Sequence, residues 1–194
     1  MKKLSVRSVV VAAAVAVGSL AMVACTTTTE NAQASNRSAR TSLEAQTNAT
    51  LSRLYDTAPG SRELIARAKG VLVFPAVIGG SFVIGVQHGQ GVLRVGNQTR
   101  GYYSTTGASI GWQAGGQSKA VIYVFSSQDA LDKFINGNGW SGGVDATVAA
   151  GHVGANGSID THTAQPPVSS YVMTNTGLEA GVSLQGSKIT KIAL

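Results

Sequence analysis

The chain has 194 residues, of which 43% are hydrophobic and 12% charged, with a formal net charge of +6 and a single cysteine. This length suits one domain, which can bury roughly 68–70% of the surface of its unfolded chain. A single cysteine excludes an intramolecular disulfide, and the modest charge argues against nucleic-acid binding.

The first 24 residues resemble a bacterial lipoprotein signal peptide. A basic start (Lys2, Lys3 and Arg7) precedes the apolar run 9–22, which is short for a membrane span and typical of a secretory signal. The run leads into Met-Val-Ala-Cys, which resembles a lipobox with methionine in place of the usual leucine. We therefore expect cleavage before Cys25 and attachment to the membrane through its acyl chains. The alternative is a free thiol in a secreted protein.

Removal of the leader changes the charge. Three of the 15 Lys and Arg residues lie in the leader and all nine acidic residues come after it, so the remainder carries about +3. This charge is compatible with an anionic membrane surface. Thr26, rather than an aspartate, follows Cys25 and favours export to the outer membrane. The prediction is an envelope lipoprotein that faces the periplasm or the cell surface.

The N-terminal part of the mature chain predicts a tether and two helices. Residues 25–35 are small and polar, and they are expected to form a flexible tether. Residues 36–58 predict an amphipathic helix, which could pack on a sheet or lie on a membrane. Its stripe recurs at spacings of three and four: Leu43, Thr47, Leu51, Leu54 and Ala58. Pro59 and Gly60 end it, and Ser61 is the predicted N-cap of a second helix that closes at Gly70.

From Gly70 onward the hydrophobic period becomes that of strands. Residues 71–74 predict a strand that is buried on both faces, and Pro75 is expected to end its pairing or to place it at an edge. Residues 80–95 predict a hairpin that turns at 88–91. The remaining predicted elements are strands at 102–114, 120–125, 143–154 and 168–174, a helix at 128–135, and a hairpin at 178–192 that turns at 186–187.

The 24 glycines shape the predicted fold. In 143–154, even positions such as Val144 and Val148 are apolar, whereas odd positions are small or polar, which predicts a strand with one buried face. Alternating glycines allow strong curvature or close approach of another backbone. The predicted fold class is α+β: a glycine-rich, strongly curved, barrel-like antiparallel sheet of about eight to nine strands with N-terminal helices packed on it. One domain is expected to span 36–194.

Five segments in order resemble the SYLF-domain family. They are Ala68–Pro75, Gly89–Leu93, Gly111–Ser118, Val144–Gly154 and Gly177–Gly186. The resemblance implies lipid binding, chiefly to anionic lipids such as phosphoinositides, and implicates an N-terminal amphipathic helix. In some eukaryotic members it also implies actin binding.

The predicted export from a bacterial cell limits what this resemblance implies. Actin is not expected as a native partner, and phosphatidylglycerol, cardiolipin or phosphatidic acid are the expected substitutes for phosphoinositides. The resemblance implies no enzymatic activity and no cofactor.

The basic residues are the candidate headgroup contacts. Each cation near an anionic membrane contributes about 1 kcal/mol to binding, so several on one side would form a second anchor. The candidates on or beside the two helices are Arg53, Arg62, Arg67 and Lys69, and Arg94 and Arg100 could join them from a hairpin end. The alternative is a solvated helix face.

Other chemistry has less support in the sequence. His88, His152 and His162 lack a metal-ligand spacing, so no metal site is expected. Asp145 interrupts an apolar strand, which makes it either a structural polar residue or a ligand contact. Trp112 and Trp140 are expected in the core or at a sheet edge. The glycine-rich segments follow the periodicity of strands and do not form a phosphate loop.

The sequence thus supports two function classes. The first is a non-enzymatic, lipid-anchored envelope protein whose domain binds anionic phospholipid headgroups. The second is a structural or interaction lipoprotein that recognises an unidentified envelope protein or self-associates through a sheet edge.

Overall fold

The structure is a computed structural model that describes residues 27–80, 84–110, 117–141, 148–153, 156–161, 164–175, 177–180 and 187–194. The chain divides into two compact units, Met1–Arg40 and Thr41–Leu194. The described residues of the first unit, 27–40, are helical. The second unit contains the sheet and the buried core.

The described residues include three helices: α1 (Thr27–Thr57), α2 (Ser61–Arg67) and α3 (Gln128–Asn136). α1 begins nine residues before the predicted start, so the segment expected to be a flexible tether is helical from Thr27. That part of the helix consists of small and polar residues and lacks an apolar stripe, which is why periodicity missed it. Within the described chain, no helix combines the length and apolarity needed to cross a bilayer.

The break between α1 and α2 differs in detail from the prediction. Gly60, with φ of +87°, is the N-cap of α2, whereas Ser61 is the first helical residue. The buried Ser61 hydroxyl donates instead to the Leu54 carbonyl, at 3.2 Å. The expected serine cap is therefore wrong, and the side chain ties α2 back to α1.

In the described residues, nine strands form one strongly curled open sheet, a half-barrel, with the N-terminal helices packed on it, as predicted. The strands are β1 (Gly70–Gly80), β2 (Ile84–Val95), β3 (Gln98–Ile110), β4 (Gln117–Phe125), β5 (Gly139–Ser141), β6 (Ala149–Ala150), β7 (Val168–Thr174), β8 (Gly177–Ala180) and β9 (Ser187–Ile192). Their order across the sheet is β5-β9-β3-β2-β1-β4-β7-β6, and β8 pairs with β7. These pairs are antiparallel except β6–β7, which is parallel.

The central strands are buried on both faces. Along β1, Leu72 and Phe74 pack with α3, whereas Val71 and Val73 pack with α1 and α2. We call these two sides the α3 face and the α1–α2 face. On the α3 face, Trp140 packs edge-on against Phe134 with ring centroids 4.7 Å apart. Continuous apolar runs in these strands reflect this double coverage.

The predicted amphipathic stripe is the surface by which α1 packs on the sheet. Leu43, Thr47, Leu51, Leu54 and Ala58 are all buried. Glu44, beside this stripe, accepts a hydrogen bond from the Tyr102 hydroxyl of β3 at 2.6 Å. The helix is thus part of the core, and the alternative in which its apolar face lies on a membrane is wrong.

The predicted turn at 88–91 is also wrong, because β2 runs unbroken from Ile84 to Val95. A Cβ on Gly91 would lie 2.6 Å from the Val73 carbonyl oxygen, and one on Gly89 would lie 2.8 Å from the Ala76 oxygen. The register of the β1–β2 pair is shifted between Val73 and Ala76, the stretch that contains Pro75. This bulge lets a proline occupy a central strand, and the glycines accommodate the close backbone.

Two further strand predictions need correction. Among its described residues, the expected hairpin 178–192 is absent, because β8 pairs with β7 and β9 pairs with β3 and β5; Gly186 of the predicted turn lies outside the described residues. Of the stretch 143–154, residues 148–153 are described, and only Ala149–Ala150 form a strand, parallel to β7. Ala150 is exposed rather than buried. A Cβ on Gly151 would overlap the Tyr171 ring, so this glycine serves close packing of an edge segment.

Candidate functional site

A groove with a volume of about 370 Å³ opens beside the helices. Its floor comes from the start of β1 and the end of β2, and its walls come from α1, α2 and the β2–β3 turn. The apolar lining is supplied by Leu51, Tyr55, Ile65, Ala66, Ala68 and Val71. Two arginines, Arg62 and Arg94, complete it together with Gly70, Gly96 and Asn97. We call this feature the arginine groove.

Arg94 enters the groove from β2, where it pairs in register with Val71 of β1 and Thr99 of β3. Its Nε atom is fully buried and has no hydrogen-bond partner among the described residues. A buried donor without a partner is costly, typically about 1–3 kcal/mol for a neutral group and more for a charged one. Such an atom is a ready contact for an anion or an ordered water.

Arg62 approaches from the other side, on α2. Its guanidinium lies over the Tyr55 ring of α1, 4.6 Å from the ring centroid. This cation–π contact holds the side chain beside the groove and leaves the edge of the guanidinium, where the N–H groups lie, available. Arg62 itself is exposed, so an anion could reach it from solvent.

The groove is electrostatically one-sided, because none of its described lining residues is acidic. The carboxylates nearest in sequence to its walls are Glu63 and Asp56, and Asp56 is exposed and is not part of the lining. Glu63 pairs with Arg67 at 2.5 Å, and Glu44 accepts bonds from Thr99 at 3.2 Å and from Tyr102. Two cations and an apolar lining therefore suit an amphiphile with an anionic head, since planar guanidinium groups match phosphate and carboxylate oxygens.

Comparison with known families gives the chain its class. Residues 106–192 match the family described as Ysc84, Las17-binding protein actin regulator. The chain carries a SYLF domain. This is a family of lipid-binding and actin-regulating domains, which is compatible with lipid partners. No curated protein matches the chain. The match begins at Thr106, so the residues that line the arginine groove precede it.

The SYLF-domain fold brings two of the six predicted basic residues, Arg62 and Arg94, into one groove. Three others are not part of its lining: Arg53 donates to the Thr174 carbonyl of β7, Arg67 pairs with Glu63, and Arg100 lies exposed at a register shift of β3. The remaining residue, Lys69, is exposed directly before Gly70, at the edge of the groove.

The other predicted residues fall into two groups. Cys25, Asp145, His162 and Trp112 lie outside the described residues. Trp140 is buried on the short strand β5, as expected for a core residue at a sheet edge, whereas His88 and His152 are exposed. No group of three possible metal-ligating side chains occurs in the described ranges.

Sequence reasoning missed Tyr55 as part of the site. Tyr55 precedes the Pro59–Gly60 break and Arg62 comes after it, so no helical spacing links the two residues. The available signal was its place beside the apolar stripe of α1, close to the end of the helix. An aromatic residue at that position can contact side chains of the next helix.

Proposed function

We propose that this protein is a non-enzymatic, lipid-anchored protein of the bacterial cell envelope whose SYLF domain binds anionic phospholipid headgroups in the arginine groove. The observation that carries the proposal is the buried, unpartnered Nε of Arg94 in an apolar groove that Arg62 also lines. The family match supports lipid as the general ligand class. The anionic preference rests on the two arginines.

The anchor is the second part of the proposal. Cys25 comes after the apolar leader and a small residue, as a lipidated cysteine does, and it is the only thiol in the chain. Acyl chains on Cys25 would keep the domain at the membrane, and headgroup binding would then orient it there. The membrane involved is proposed to be the outer membrane, because Thr26 is next to the cysteine.

Headgroup binding is tested by vesicle co-sedimentation of the full chain carrying Cys25→Ser, which removes the acyl anchor. The lipids are phosphatidylcholine alone and phosphatidylcholine mixed with phosphatidylglycerol or cardiolipin. We expect tighter binding to the anionic vesicles, weakened by salt. Arg62→Ala combined with Arg94→Gln should lower this affinity roughly 30-fold, at about 1 kcal/mol for each cation.

A matched control separates the groove from net charge. Lys133→Ala combined with Lys191→Ala removes the same charge from exposed positions outside the groove lining. This pair should weaken binding much less than the arginine pair, while thermal unfolding shows that both variants fold. Equal losses would mean that a diffuse charge binds the membrane, and the groove proposal would fail. No binding to any vesicle would favour a protein partner.

The anchor is tested in cells of the source bacterium or a bacterial host. The wild-type chain should take up labelled palmitate and fractionate with the envelope. Cys25→Ser should abolish the label and release the protein to the soluble fraction. Labelling that persists in the Cys25→Ser variant would contradict acylation at this residue.

A further inference from the structure

Two large aliphatic side chains lie open to solvent. Ile78 is 63% exposed and Val86 71% exposed, whereas the other large apolar residues of β1 with described side chains are buried. Scattered exposed aliphatics are ordinary in soluble proteins. These two, however, lie together at one end of the β1–β2 pair, on one face of the sheet.

The strand register places them. Ile78 pairs with His88, and Val86 pairs with Gly80, two residues further along β1. Directly paired residues point to the same face, and so do residues two apart in a strand. Because Val77 packs on the α3 face, Ile78 and Val86 both lie on the α1–α2 face, beyond the part that the helices cover.

The sequence of this strand pair is uncharged over a long run. Residues 71–86 contain no Asp, Glu, Lys or Arg, and the only side chain with a hydrogen-bonding group is that of Ser81. At one end of the run, Leu72, Val73 and Phe74 are buried in the two cores. At the other end, the same apolar character continues in Ile78 and Val86, which are exposed.

The surroundings of this patch favour a lipid surface. The row of paired residues through Ile78 includes five exposed residues on five strands: Ser118, Ile78, His88, Thr106 and Lys188. These five residues comprise one lysine, one histidine, two residues with hydroxyl groups and one isoleucine, and none of them is acidic. Cations and hydroxyls beside exposed aliphatics suit the headgroup and acyl layers of an anionic membrane.

We propose that the end of the β1–β2 pair inserts Ile78 and Val86 into the boundary between the headgroups and acyl chains of a membrane. This contact goes beyond headgroup binding in the arginine groove and uses different residues. It is driven by apolar burial, so it should persist at high salt. The contact in the arginine groove is electrostatic, so high salt should weaken it.

The test reports insertion at one residue, whatever else attaches the chain to the vesicle. The full chain carrying Cys25→Ser and Val86→Cys has a single thiol, which is labelled with an environment-sensitive nitrobenzoxadiazole fluorophore. Vesicles of phosphatidylcholine and phosphatidylglycerol are added, with or without lipids that carry a quencher on the acyl chain. The control places the label at Asp132→Cys, an exposed position on α3.

We expect a blue shift and quenching by acyl-chain quenchers at position 86 and neither at position 132. Adding Ile78→Ser should reduce vesicle affinity at high salt roughly tenfold, the loss expected when one aliphatic side chain no longer leaves water. The Arg62→Ala and Arg94→Gln pair should leave that high-salt binding intact. The headgroup proposal can therefore fail while this one stands, or the reverse.

Three results would overturn the proposal. One is a label at position 86 that stays in water on vesicles that bind the chain. Another is equal quenching at both positions, which means nonspecific adsorption. The third is a blue shift without vesicles that depends on protein concentration, which assigns the patch to contact between two copies of the chain. Ile78→Ser lies at an exposed site, so unchanged thermal unfolding confirms that the comparison is between folded proteins.

Discussion

The packing of α1 on the sheet makes a sharp prediction about Leu54. Its side chain is 1% exposed and belongs to the cluster that joins α1 and α2 to β1, β4 and β7. Leu54→Ala would remove three carbon atoms from this cluster and leave a cavity. Leucine-to-alanine changes in such cores typically destabilise by about 2–5 kcal/mol, depending on how far the site collapses. We expect about 3 kcal/mol here, because neighbours on three strands limit that collapse.

Urea unfolding followed by tryptophan fluorescence measures this loss. With a slope of about 1–3 kcal/mol per molar urea, the midpoint should fall by roughly 1–3 M. Asn48→Ala, an exposed position on the same helix, is the control and should change stability by less than about 0.5 kcal/mol. If Leu54→Ala unfolds like the wild type but binds vesicles less well, the helix serves the membrane and its assignment to the core is wrong.

Two more predictions concern the sheet. Gly91→Ala should destabilise the domain by about 1–3 kcal/mol, since its Cβ would lie 2.6 Å from the Val73 oxygen. The control, Gly79→Ala, places its Cβ 3.5 Å from Gln87 and should change stability by less than about 0.5 kcal/mol. Equal urea midpoints for the two variants would contradict the close backbone approach near Pro75. Burial raises the pKa of Tyr103, Tyr123 and Tyr171 above the ordinary value of 10.0, so these phenols stay neutral in the folded state while the unfolded chain ionises. These groups should therefore leave the free energy of unfolding unchanged below pH 10 and lower it as the pH rises above 10. A titration followed by phenolate absorbance measures the pKa values in the folded protein. Ionisation of all tyrosines near pH 10 in the folded protein would refute the prediction.

The local sequence pattern predicts where helices and strands form better than it predicts which strands pair with each other. The stripe from Leu43 to Ala58 could be recognised because helical spacing is a property of neighbouring residues. The glycines at 89 and 91 could not be interpreted in the same way. A glycine permits either a turn or a close approach, and the choice here depends on a bulge at Pro75 in another strand. The prediction of a C-terminal hairpin was wrong for a similar reason, because β9 pairs with β3 and β5 rather than with β8.

The arginine groove shows the same limit at the level of the site. Charge and residue type identified both Arg62 and Arg94 as candidates, together with four other cations. Their convergence depends on the pairing of β1 with β2 and on the turn between α1 and α2, which join residues 32 positions apart. The buried state of the Arg94 Nε atom cannot be inferred from its neighbours in sequence. Packing, rather than composition, determines which two of the six predicted basic residues line the groove.

The central claim, that the arginine groove holds an anionic headgroup, is tested most directly by nuclear magnetic resonance. A short-chain phosphatidylglycerol, kept below its micelle concentration, is titrated into the isotopically labelled full chain carrying Cys25→Ser. The claim predicts a saturable shift of the Arg94 Nε–H resonance and of backbone amides around Tyr55, Arg62 and Gly70, with no shift on adding the matching phosphatidylcholine. An unchanged Arg94 Nε–H resonance, or shifts confined to cations outside the groove such as Lys188, would contradict it.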